Sequence, residues 1–212
     1  MLIPPRVRRH QRARTARQVR LPGGRRVGVR PIRAADADEF ARAYTRLSEL
    51  SRQRRFLSAA ATLSPAEARY LTSVDHDEHV AFVAALPDSD EILGSARYIR
   101  LPSRPGVAEM AVEVIDEWQR HGVGRALLEA LSQHAQAAGI DRFVAVVAAD
   151  NAPMQRLLRR AGATAVNVDG ELEYTVDVGA LAPAPEPHCS RRGRSQPRQR
   201  VVALLAGAAR PV

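Results

Sequence analysis

The sequence predicts an α/β fold: one domain in which a mixed central sheet of about six to seven strands is flanked by helices, carried between two disordered arginine-rich tails. Three observations predict it. Short apolar runs recur between turn residues; a strand passes through a glycine loop straight into an amphipathic helix over residues 113–131; and that helix is followed by RFVAVVAA, residues 142–149, a near-continuous apolar run typical of a buried parallel strand. The 212 residues suffice for one such domain with a sizeable core.

Charge divides the chain into three. All 32 basic residues are arginine. Residues 1–30 hold ten of them and no acid, residues 31–178 hold sixteen against twenty-two acids, and residues 179–212 hold six against one, so the stretches carry +10, −6 and +5. The strongly basic balance therefore belongs to the ends, and the folded part is mildly acidic. We expect residues 1–25 to be a disordered arm, residues 26–178 the domain, and residues 179–212 a mostly disordered Pro/Arg-rich tail. Such arms can contact polyanions, nucleic acid included, although the first lacks aromatic residues to stack on bases. The longest apolar run, residues 201–209, is too short to cross a membrane, and the first twenty residues lack a secretory h-region. With the single Cys189, these features point to a cytoplasmic protein without internal disulfides and without a membrane partner.

Taken in order, RVGVRPIR alternates Val27, Val29 and Ile32 around arginines and predicts a first strand ending near Pro31. Asp36 or Asp38 can cap the helix that follows, where Phe40, Ala43, Tyr44 and Leu47 recur at helical spacing. A helical region continues, with a restart at Ser64, Pro65 and Glu67. The cluster VDHDEH, residues 74–79, lacks metal-ligand spacing and reads as a polar turn; no metal is expected. Three strands follow, over residues 80–86, 92–101 and 109–114. In the third, Met110, Val112 and Val114 share one face while Glu109, Ala111 and Glu113 share the other, so two carboxylates look out from one side just before the glycine loop.

That loop carries Gln119, Arg120, His121, Gly122, Val123, Gly124 and Arg125. Glycines at the mouth of a helix let backbone N–H groups approach an anion, and the helix N-terminus adds partial positive charge, so the stretch reads as a phosphate cradle. The helix buries Val123, Leu127, Leu128, Leu131 and Ala135 and ends near Gly139. After the strand at 142–149, Asn151 heads a helix with Met154, Leu157, Leu158 and Ala161 facing inward. Residues 163–168 and 171–178 form a closing hairpin around Asp169 and Gly170.

This order, with the string QRHGVG after a strand and before an amphipathic helix and with ADNAPMQRLLRRAGA downstream, resembles the GNAT superfamily of acyl-CoA-dependent N-acetyltransferases over about residues 27–178. The resemblance implies that acetyl-CoA is the donor, that residues 120–125 hold its pyrophosphate, that the backbone near Val114 pairs with the pantetheine arm, and that Asn151 contacts the cofactor. Segments such as RRFLSAA, LTSVDHDEHVAFVA and AEMAVEVIDEWQRHGVG are similar to the catalytic domain of bacterial Pat-type protein lysine acetyltransferases. Some of those carry a cyclic-nucleotide domain; the stretch before the first predicted strand is too short for one, so nucleotide regulation is not expected.

An ammonium has no lone pair with which to attack a thioester, so a carboxylate must take the amine proton. The resemblance makes Glu109 the first candidate and Glu113 the second. The tyrosine that protonates the departing thiolate in many family members is replaced by Leu158, leaving that step to water. With the only cysteine in the tail, direct transfer in a ternary complex is expected. The acceptor is an amine, a protein lysine or a small molecule; a third reading is a non-catalytic acyl-CoA-binding regulator with nucleic-acid-binding tails.

Overall fold

The computed structural model describes residues 16–56, 61–168 and 171–181. Residues 1–15 of the expected arm, the tail from 182 with Cys189, and the hairpin tip at Asp169 and Gly170 lie outside the described residues. Among the described residues eight strands form one sheet: β1 Arg17–Arg20, β2 Arg26–Pro31, β3 His79–Ala85, β4 Ile92–Arg100, β5 Val107–Val114, β6 Arg142–Val147, β7 Thr164–Val168 and β8 Glu171–Asp177. Their spatial order is β1-β2-β3-β4-β5-β6-β8-β7. Every neighbouring pair is antiparallel except β5 and β6. The expected mixed sheet is therefore present with one strand more than predicted.

The additional strand corrects the expected extent of the disordered arm. RQVR is too short and too polar to announce itself, but it pairs with β2 in the register Arg17 to Val29 through Arg20 to Arg26. Leu21 beyond it is buried, and Arg17 Nη1 donates to Gln133 Oε1 at 2.9 Å on a helix of the opposite layer.

The helices are α1 Ala37–Thr45, α2 Glu49–Phe56, α3 Pro65–Thr72, α4 Val123–Ala137, α5 Ala152–Arg160 and α6 Val178–Leu181. In α1, the 3.6-residue spacing puts Phe40, Ala43 and Tyr44 inside, with Leu47 just beyond, against the face of β4 and β5 that bears Ser95 and Glu113. The α4 stripe predicted from sequence, Val123, Leu127, Leu128, Leu131 and Ala135, is buried throughout on the other face, where His134 meets the rings of Phe82 and Tyr98. Ser64 and Glu67 form the capping box that starts α3. Asp36 does not cap α1 with its side chain. Its carboxylate accepts from Arg30 Nη1 and Nη2 at 2.7 and 2.9 Å and from the Arg33 N–H at 2.8 Å, an ion pair whose side chains are 2% and 5% exposed. No helix among the described residues is long and apolar enough to cross a membrane.

Candidate active site

The glycine loop opens α4 without a side-chain cap. Gly122 is the N-cap residue at φ +92°, in the left-handed region that glycine alone adopts cheaply, and Arg120 precedes it at φ +61°. The first bond into the helix runs from the Ala126 N–H to the Gly122 carbonyl at 3.0 Å, so the N–H groups of Val123, Gly124 and Arg125 lie ahead of the intrahelical ladder. By contrast, α3 is closed by Ser64 and α5 by Asn151, whose Oδ1 accepts from the Met154 N–H at 3.3 Å. With no acid in its first turn, α4 presents orphan donors and a positive dipole end suited to an anion.

The loop side chains divide their tasks. Gln119 Nε2 donates to the Val114 carbonyl at 3.1 Å, to Asp116 Oδ1 at 3.2 Å and to Ser51 Oγ at 3.3 Å, tying the end of β5 to the loop and to α2. Arg125 Nε donates to Glu129 along the helix at 2.8 Å, while Arg120 is exposed. His121 sits 6.1 Å from the Trp118 ring, and its Nδ1 is buried without a partner among the described residues.

Beside the loop the sheet divides. β5 and β6 pair only from Val107–Arg142 to Glu109–Val144, although β5 runs on to Val114 and β6 to Val147. Each keeps its other neighbour to the end: β4 follows β5 as far as Val114, and β8 follows β6 as far as Val147. The two half-sheets therefore separate, and a wedge opens between them with the inner edge of β5 from Met110 to Val114 facing it. Val146, on the part of β6 beyond this pairing and expected to be buried, is 48% exposed. Glu109 lies at the closed end of the wedge, exposed, at the last paired position.

The two carboxylates predicted to share a face do so, but in different surroundings. The Glu113 side chain is 8% exposed; it accepts from Arg55 Nε at 2.7 Å and from the Ser95 hydroxyl across the β4–β5 pair. Two residues along β4, Arg97 is buried over Phe40, with its Nη1 donating to the Leu71 carbonyl at 3.2 Å. Its Nε and Nη2 have no partner among the described residues, and burial pushes its pKa down to about 10, against the pull of Glu113. The same Nη1 lies 3.3 Å from His79 Nε2, and because a guanidinium only donates, that imidazole nitrogen accepts. Burial, and after it the Arg97 charge, hold the His79 pKa below its usual value. His79 is thus structural, and the turn before it is closed by Asp75, which accepts from the N–H groups of Asp77 and His79. Among the described residues no group of His, Cys, Asp and Glu is placed to hold a metal.

Helix α2 spans the mouth of the wedge. Arg55 reaches Glu113 on one half-sheet, and Arg54 reaches the Asp150 carboxylate at 2.9 Å just past the other. The Arg54 hydrogen bond holds the Asp150 pKa below its usual value. Sequence reasoning missed both arginines, since no local period marks pairs so distant in the chain. A signal for Ser95 and Arg97 was present: two polar residues, two apart, inside the apolar run ILGSARYI.

An acetyltransferase (GNAT) domain profile matches residues 26–164, from β2 through the glycine loop to the start of β7. The chain belongs to the GNAT acetyltransferase family. Enzymes of this family use acetyl-CoA as the acyl donor. The chain is 31% identical to Acetyltransferase Pat of Mycolicibacterium smegmatis over 160 residues, 74% of this chain but 47% of that protein, so it spans about half of that relative. It is 32% identical to Acetyltransferase PA5475 of Pseudomonas aeruginosa over 139 residues, covering 65% of this chain and 74% of that one. Among solved structures, the GNAT domain of S. lividans PAT superposes with a TM-score of 0.71 at 30% identity, covering 78% of this chain and 98% of that domain.

Proposed function

We propose that the chain moves an acetyl group from acetyl-CoA to an amine, a protein lysine foremost, by direct transfer in a ternary complex. The observation that carries this reading is the continuity of the uncapped α4 N-terminus with the wedge that closes at Glu109. Five residues separate Val114 from Glu109, about 17 Å of extended strand, which is the scale of an extended pantetheine arm. A donor whose pyrophosphate lies on the N–H groups of residues 122–125 thus extends its thioester along β5 toward Glu109.

Glu109 is the general base. Its exposed carboxylate takes the proton of the acceptor ammonium, directly or through one water, and the freed nitrogen lone pair attacks the thioester carbonyl carbon. The C–N bond forms, the C–S bond breaks, and the second proton of the attacking nitrogen passes through water to the departing CoA thiolate, since Leu158 supplies none. Glu113, held by Arg55 and Ser95, positions β5 and α2 rather than moving the proton. Asn151 caps α5, and its Nδ2 is its contribution to the donor site.

The likeness to Pat acetyltransferases and the exposure of Glu109 favour an acceptor presented on a protein. Incubation with acetyl-CoA and a panel of proteins, followed by thiol release and mass spectrometry of lysines, tests it. Acetylated lysines at rates above the small-amine background support the reading; turnover of small amines with none on proteins replaces it with a small-molecule acetyltransferase.

A further inference from the structure

The β1–β2 turn rests on the donor site, although β1 and the turn precede the segment that matches the family. Its hydrogen bonds, Leu21 N–H to the Arg25 carbonyl at 2.8 Å and Gly24 N–H to the Leu21 carbonyl at 3.0 Å, fold residues 21–25 into a tight loop with Gly23 and Gly24 at positive φ. Three contacts hold the hairpin along α4, the last of them at the helix mouth. Leu21 enters the core, Arg17 bonds Gln133 on α4, and Pro22 lies so close to Gly122 that a Cβ there would meet its Cδ at 2.8 Å.

The loop brings a cation with it. The Arg25 guanidinium carbon lies 5.0 Å from the centre of the Trp118 ring, and Trp118 belongs to the 3₁₀ turn Asp116–Trp118 that leads into the glycine loop. A guanidinium over an indole is held through its π face, which leaves its in-plane N–H donors free for a second partner. Among the described residues no carboxylate pairs with Arg25; of the two arginines inside the loop, Arg125 is bonded to Glu129 and Arg120 is exposed. The Trp118 ring also lies 6.1 Å from that of His121, whose Nδ1 is a further buried polar atom without a partner among the described residues. The turn therefore sets an arginine without a carboxylate partner against the segment, Trp118 to Gly122, that leads into the uncapped helix amides.

We propose that Arg25, presented by the β1–β2 turn, is a phosphate-binding residue of the acetyl-CoA site, so that this hairpin is part of donor recognition. The inference rests on the proposed donor site. Two sources supply the chemistry, the pyrophosphate and the 3′-phosphate of CoA, and both are anions that a guanidinium binds by charge-assisted hydrogen bonds.

The test compares the full chain with Arg25→Gln by calorimetric titration of CoA and of 3′-dephospho-CoA, and by steady-state kinetics with acetyl-CoA and S-acetylpantetheine. We expect Arg25→Gln to weaken CoA binding about tenfold. The ratio of kcat/KM for acetyl-CoA to that for S-acetylpantetheine, which has no phosphate from the nucleotide, falls by the same factor. A loss that persists with 3′-dephospho-CoA assigns the contact to the pyrophosphate, and a loss confined to CoA assigns it to the 3′-phosphate. CoA binding within twofold of wild type, in a variant whose melting temperature is unchanged, overturns the inference. Should wild type itself fail to bind CoA, the donor site falls and this inference with it.

Discussion

Gly122→Ala probes both the backbone conformation of the glycine loop and the hairpin that leans on it. At φ +92° an L-residue costs about 1–2 kcal/mol relative to glycine. The new Cβ also meets Pro22 Cδ at 2.8 Å, closer than such atoms approach, and the proline ring cannot rotate away. Overpacking of that kind adds about 1–3 kcal/mol. The total, about 2–5 kcal/mol, lowers the melting temperature by about 4–20 °C for a chain of this size. Urea and thermal unfolding of four proteins, wild type, Gly122→Ala, Pro22→Ala and the double variant, separate the two contributions. In the Pro22→Ala background the cost of Gly122→Ala should shrink to the strain alone, about 1–2 kcal/mol. A cost that is the same in both backgrounds refutes the contact between hairpin and loop, and a Gly122→Ala protein within about 0.5 kcal/mol of wild type refutes the left-handed conformation as well.

Two further outcomes follow from buried charge. Removing one partner of the Arg30–Asp36 pair leaves a guanidinium that is 2% exposed without its counter-ion, so Asp36→Ala should cost about 3–5 kcal/mol in urea unfolding; a loss below about 1 kcal/mol would show that the pair is not buried as described. His79 and His134 are both held below the usual 6.5, each chiefly by burial, and the folded state therefore binds fewer protons than the unfolded chain. Their contribution to stability is complete above pH 6.5 and is lost as the pH falls through their folded-state values. The urea midpoint should thus fall from about pH 7.5 to about 5.5, and less steeply in His79→Gln. A midpoint that stays flat or rises on acidification contradicts this.

The parts of the molecule legible in the sequence are those with a local period or a local cap. The α4 stripe, the α1 stripe, the Ser64 capping box, the Asn151 cap and the alternation that puts Glu109 and Glu113 on one face all follow from residues within a turn or two of one another. What escaped depends on partners far along the chain. Arg55 meets Glu113 across 58 positions and Arg54 meets Asp150 across 96, so no window of sequence contains either pair. β1 escaped for a related reason: RQVR has little apolar signal, and its strand conformation is set by the edge of β2 and the burial of Leu21. Asp36, read with Asp38 as one of two possible helix caps, stands at the N-cap position but gives its carboxylate to Arg30, where it neutralises a buried charge. Gln119 belongs to the expected donor motif, yet its amide knits β5, the loop and α2 together, a task visible only once those three elements meet.

The central claim is that Glu109, at the closed end of the wedge, removes the acceptor proton while the donor is held elsewhere. It is tested most directly by kcat at saturating acetyl-CoA, with the donor dissociation constant measured alongside, for wild type, Glu109→Gln and Glu113→Gln. Glu109→Gln should lower kcat about 10²–10⁴-fold with donor affinity within about twofold of wild type. A Glu109→Gln enzyme that retains wild-type kcat, or a comparable collapse seen only in Glu113→Gln at unchanged stability, would contradict the account.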